Sequence, residues 1–171
     1  MFAEAHCLHP ESEMKPSATG SGRSFGTQGF TLVEIMVVVV IIGLLAALAI
    51  PAAQRVRRAA INSRFLNDLR IVRDAAETYA MENGGWPPDG SSAVPPELAA
   101  YLRKGFDPVS PIGGTWDWDM NVFGITAGIA VQGPTISTEQ LLEIDKKIDD
   151  GDLSTGHFRT RSGGVIYILE D

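Results

Sequence analysis

Residues 29–51 read GFTLVEIMVVVVIIGLLAALAIP, and this stretch decides how the rest of the chain is read. From Ile35 to Ile50 there are sixteen residues with no charge and no ordinary polar side chain. Extending back to Phe30 gives 21 residues with one charge, Glu34. A helix of that length spans roughly 30 Å, the thickness of a bilayer hydrocarbon core. A carboxylate inside such a span costs about 2.5–3.5 kcal/mol near the helix centre and less near its end, so Glu34 needs a partner. Gly43 and Ala47 stand four apart, a spacing that lets apolar helices approach closely.

Beyond this stretch the helical pattern continues. Pro51 removes a backbone donor and crowds the preceding turn, which predicts a kink or local melting there. Ile61, Phe65, Leu69, Val72, Ala76 and Tyr79 then recur at steps of three and four, one apolar stripe on a helix. Arg70 with Asp74 and Arg73 with Glu77 stand at i,i+4 on the other face, and Asn83-Gly84-Gly85 supplies the stop. The expected helix covers 30–83, with 30–51 suited to a membrane and 52–83 amphipathic.

The charge is segregated along the chain. Residues 52–83 carry six arginines against four acids, whereas 84–171 carry six Lys/Arg against thirteen acids, within a net charge of −7. An acidic domain argues against nucleic acid as a partner, since phosphate binding needs a concentrated basic face. The one cysteine, Cys7, lies ahead of the apolar run, so a chain lacking its leader has no disulfide or thiolate metal site. Residues 1–29 read as a leader rich in Thr, Gly and Ser; a start at Met14 would leave Lys15 and Arg23 as its only charges, the basic prelude an export signal needs.

Residues 84–171 read as a small globular domain. A short helix opens at Pro95-Pro96 and runs through Leu98 to Leu102. Strands are expected at Thr115 to Asp119, Phe123 to Val131, and Val165 to Leu169, with an amphipathic helix from Glu139 to Ile148 capped by Ser137/Thr138. The predicted class is α+β: the long helix packed on a small antiparallel sheet.

Gly29-Phe30-Thr31-Leu32-Val33-Glu34, followed by the apolar run and Pro51, resembles the N-terminal signature of type IV pilins and type II secretion pseudopilins. The resemblance implies a prepilin peptidase that cuts between Gly29 and Phe30 and methylates the new amine. It implies polymerisation with other pilin or pseudopilin subunits, with Glu34 facing the Phe30 ammonium of a neighbour and Pro51 as the helix-breaking proline. It also places the N-terminus on the cytoplasmic side of an inner membrane and residues 84–171 in the periplasm. The basic residues point the other way, because Arg55, Arg57, Arg58 and Arg64 outnumber Lys15 and Arg23 across the span. Ala80 to Pro87 is similar to the helix end and aromatic-proline loop of major pseudopilins, whereas Phe106-Asp107-Pro108 lacks the Trp and Gly of their following turn.

Other constellations are weaker. Asp149, Asp150 and Asp152 gather carboxylates in one turn, and the resemblance implies calcium there; a solvated turn after a helix is the simpler expectation. No other cofactor is expected. Trp116-Asp117-Trp118-Asp119 alternates, which puts both Trp on the core face of a strand and both Asp on the other. His157 has no cysteine to activate and no serine elbow accompanies it, so catalysis is not expected. A second class of reading is a secreted or membrane-tethered binding protein, since Ala47-Leu48-Ala49 offers a small-x-small signal peptidase site.

Overall fold

The computed structural model describes residues 29–171. The leader, with Met14, Lys15, Arg23 and Cys7, lies outside the described residues. Compactness divides the described residues at Ile42/Gly43, inside the first helix.

Helix α1 runs Leu32–Asn83, 52 residues. Local melting at Pro51 does not occur: the helix is assigned without a break through it. A proline deletes only its own donor to the carbonyl four residues back, and the neighbouring turns retain theirs. The stop is where the sequence places it. Gly84 adopts φ +74° and donates to Ala80 O at 2.9 Å, a left-handed glycine closing the last turn.

In the first unit every described residue, 29–42, is exposed. In the second, exposure persists to Ala60, and from Asn62 the helix gains a buried face. Phe65, Leu69, Val72 and Ala76 are buried as the stripe predicts, with Ile61 and Tyr79 half-buried at its ends. Two polar residues join them. Asn62 accepts from Gln140 Nε2 at 2.8 Å and donates to Glu143 Oε2 at 3.3 Å; Asp68 lies 3.8 Å from both Arg64 and Arg103. Arg73, rather than Arg70, reaches Asp74 at 3.2 Å, and it also reaches Glu77 at 3.6 Å.

After α2 (Pro96–Ala99) come β1 (Thr115–Met120), β2 (Ala127–Gln132), α3 (Thr138–Ile148), β3 (Phe158–Arg161) and β4 (Gly164–Glu170). The strands form one antiparallel sheet in the order β1-β2-β4-β3. Its core face holds Trp116, Trp118, Ile129, Val131, Phe158 and Val165. Phe65 of α1 stacks on Trp116 with ring centroids 5.3 Å apart and lies 6.1 Å from Phe158. Burying such rings contributes about 1.5–3 kcal/mol each.

Three further expectations need revision. The strand expected from Phe123 begins at Ala127, because Asn121 and Phe123 hold φ of +54° and +53° and cannot continue a ladder. Residues 121–126 instead form a connection whose Ile125 packs on the outer face with Ala130, Ile166 and Ile168. Gly128 makes the room: a Cβ there would meet Ile125 Cδ1 at 2.7 Å. The second revision is β3, which the sequence reading missed, since four residues with two arginines carry little apolar alternation. The third is the short helix, which ends at Ala99 and finishes as a turn.

Candidate functional site: the N-terminal helix and the acidic turn

The first site is the start of α1. Among the described residues no atom lies within 4 Å of where a Cβ on Gly29 would stand, and Phe30 is 75 % exposed. An unhindered, non-helical Gly–Phe bond ahead of a helix is open to a protease. Thr31 Oγ1 accepts from the Glu34 amide at 3.2 Å, and Thr31 O accepts from Ile35 N at 3.2 Å. Thr31 is therefore the cap of α1, and Glu34 sits in the first turn, where a negative charge opposes the positive end of the helix dipole. The sequence signal was present as Thr-x-x-Glu, a capping-box pattern that the membrane reading of Glu34 obscured.

From Leu32 to Ile50 the large apolar side chains are all exposed, and α1 is the one helix among the described residues long and apolar enough to cross a membrane. Pro51 is exposed in the middle of α1. Arg55, Arg57 and Arg58 follow it, each exposed and without an ion pair among the described residues.

The second site is the turn after α3. Ser137 caps α3 by accepting from Gln140 N, as expected. Asp149 and Asp150 come together, but the third carboxylate within 4.8 Å is Asp145 rather than Asp152. Asp152 turns away to accept from Ser154 N and Oγ at 3.0 and 2.6 Å, which holds its carboxyl below the usual range. Asp149 accepts from His157 N and from Phe158 N, the latter at 2.9 Å, and Asp150 accepts from Thr155 Oγ1 at 2.7 Å. Gly156 allows this closure, since a Cβ there would meet Asp149 Oδ2 at 2.1 Å. Asp145 is fully buried, and neither of its oxygens has a hydrogen-bond partner among the described residues. Burial raises its pKa, Asp150 and Asp149 add to the rise, and the nearby Gly151 amide draws it down. In the sequence Asp145 is one position inside the expected amphipathic helix Glu139 to Ile148. Nothing in its spacing marks it as the carboxylate that would turn inward.

The family profile described as "Prokaryotic N-terminal methylation motif" matches residues 25–50. A type II secretion system core protein G of Klebsiella michiganensis is 32 % identical over 100 residues, covering 52 % of this chain and 70 % of that protein. The chain belongs to the pilin and pseudopilin family. Members of this family are structural subunits, not enzymes. Other relatives agree: a type II secretion system core protein G of Escherichia coli is 32 % identical over 87 residues, covering 46 % of this chain and 60 % of that protein. The type IV major pilin PilE of Neisseria gonorrhoeae is 39 % identical over 66 residues, which cover 39 % of this chain and 40 % of that pilin. The major type IV pilin PilA1 of Clostridium difficile shares the fold, with a TM-score of 0.52 at 17 % identity over 68 % of this chain and 98 % of that one. A long helix packed on a small antiparallel sheet is thus both what the sequence predicts and what the structure contains, the fourth strand, β3, being the structure's addition.

Proposed function

We propose that this pseudopilin-family chain is a structural subunit of a type II secretion-like pseudopilus or type IV pilus, processed between Gly29 and Phe30, N-methylated at Phe30 and polymerised through α1. The observation that carries the reading is an exposed apolar helix whose one charge up to Pro51, Glu34, stands in the first turn directly after an unhindered Gly–Phe bond. A prepilin peptidase is the processing partner, and the inner membrane holds the subunit before assembly with residues 84–171 in the periplasm. In the filament, Glu34 neutralises the Phe30 ammonium of an adjacent subunit and fixes its axial register. The free arginines at 55, 57 and 58 then contact lipid headgroups before assembly and acids of neighbouring subunits after it.

Mass spectrometry of the mature N-terminus tests this directly. A methylated Phe30 is expected. A chain beginning at Ile50, the product of ordinary signal peptidase cutting after Ala49, would make this a secreted protein and end the pilin reading.

A calcium ion held by Asp145, Asp149 and Asp150 is part of the proposal, favoured by the two unpartnered oxygens of buried Asp145. All three residues offer the hard oxygen donors calcium prefers, and one divalent ion would relieve a buried carboxylate whose oxygens make no hydrogen bond among the described residues. Chelator added to the full chain in detergent should lower its melting temperature, and Asp145→Asn should remove that response. A melting curve indifferent to chelator would leave the turn as a hydrogen-bonded loop without metal.

A further inference from the structure

The outer face of the sheet carries a charge imbalance that neither processing nor polymerisation uses. Asp117 and Asp119 of β1 are only 2 % and 4 % exposed, on the face away from the tryptophans. One guanidinium faces both. Arg161, at the end of β3, lies level with Gly164 of β4, which lies level with Gln132 of β2. From there it reaches across to β1, with Nη2 2.8 Å from Asp117 Oδ2 and Nε 3.2 Å from Asp119 Oδ2. Gln132 Nε2 donates to the same Asp117 oxygen at 2.7 Å. The remaining oxygen of Asp117 has no hydrogen-bond partner among the described residues, and the Arg161 Nε–Asp119 contact is too misaligned to satisfy either atom. Asp89 adds a third carboxylate at the rim of the same ≈ 180 Å³ cavity, where its oxygens accept from Met120 N and Ser91 N. Two buried carboxylates against one guanidinium leave one in excess, and like charges so close cannot both ionise without cost.

The segment closing this cavity is under backbone strain. Phe123 lines the cavity and lays its ring over the Arg161 guanidinium, 4.8 Å from centroid to Cζ, although the residue is 61 % exposed. It holds φ +53°, Asn121 holds +54°, and Ser91 and Ser92, which also line the cavity, hold +50° and +76°. These four are the non-glycine residues with positive φ among those described; Ser91, Ser92 and Phe123 line this cavity, and Asn121 precedes Val122, which also lines it. Left-handed conformations in such residues cost about 1–3 kcal/mol each and persist only where surrounding contacts enforce them.

We propose that the Asp117–Asp119–Arg161 cluster is a pH-sensitive latch that holds β1, β3 and the 121–126 connection together while one proton is bound in it, and loosens when that proton leaves. The proton sits on Asp119. Burial raises this carboxyl from 3.8 to about 6; Arg161 opposes the rise, while Asp117 and Asp89 add to it. The groups facing it are Asp117 on its own strand, Arg161 from β3 and Asp89 from the loop before α2. Because the folded chain binds this proton more tightly than the unfolded chain, the stabilisation is complete below pH 3.8 and is lost as the pH rises through about 6. Ionisation leaves the cluster one charge negative beside Asp89, and the strained connection that rests on Arg161 through Phe123 is the part released.

Thermal melts and hydrogen exchange on the full chain in detergent, at about pH 5 and about pH 7.5, test the latch. The wild-type melting temperature should fall between the two values, and amides of residues 121–126, corrected for intrinsic chemistry, should open about tenfold more often at the higher pH. Asp119→Asn removes the excess charge while keeping the shape, so it should flatten both responses and melt above wild type near neutrality. Opening that does not change with pH in the wild type overturns the latch even if Asp119→Asn fails to fold. So does an Asp119→Asn chain that keeps the wild-type pH dependence.

Discussion

Two regions of α1 share one helical period and differ in almost everything else. Around residues 32–50 the helix is apolar on every side and wholly exposed; around 61–79 only one stripe is apolar, and that stripe is buried against Trp116 and Phe158. A helix with one apolar face finds its partner within the same chain. A helix apolar all round cannot, because a four-stranded sheet has one core face to offer and the second region has already taken it. In the proposed subunit the first region's partners are lipid before assembly and the same region of other subunits after it. The difference separates folding from assembly along a single element.

The largest expected effect breaks assembly and leaves folding alone. Glu34→Ala should permit membrane insertion and cleavage after Gly29, since it removes a charge from the apolar span and lies outside the scissile bond. In the filament it would strand the Phe30 ammonium of each incoming subunit in an apolar core, a loss of about 3–5 kcal/mol per addition. Processed monomer should accumulate in the membrane fraction, with an unchanged melting temperature. Normal filament yield would show that this carboxylate does not organise assembly.

Phe65→Ala should have the opposite signature. Removing a fully buried ring stacked on Trp116 should destabilise the fold by about 3–5 kcal/mol, read as a lowered denaturation midpoint, while leader cleavage proceeds normally. The smallest effect belongs to Leu44→Ala. Leu44 is 67 % exposed, so its truncation should change unfolding by less than about 0.5 kcal/mol and show itself only as weaker filament packing. A Leu44→Ala chain that melts as early as Phe65→Ala would erase the contrast between the two regions.

Much of this was legible along the chain. Phe65, Leu69, Val72 and Ala76 announce their burial by spacing alone, because a helix projects every third or fourth residue to one side. Trp116 and Trp118 announce theirs by alternation, and Ser137 announces a cap. Thr31 carried a cap signal too, but in a stretch where hydrophobicity drew the eye. The short strand β3 was not legible, since Arg159 and Arg161 read as solvated charges until a partner is supplied across the sheet.

By itself the sequence determined the apolar helix with its one early carboxylate, the Gly–Phe bond ahead of it, the amphipathic continuation and the α+β class, because each depends on residues close along the chain. Only the tertiary structure decided that Asp145 turns inward to Asp149 and Asp150 while Asp152 does not. It alone placed Arg161 against Asp117 and Asp119, the first of them 44 residues away along the chain. The physical reason is that a charge's partner across a sheet is set by strand order and register. Those depend on how every strand packs at once, and no local spacing encodes them.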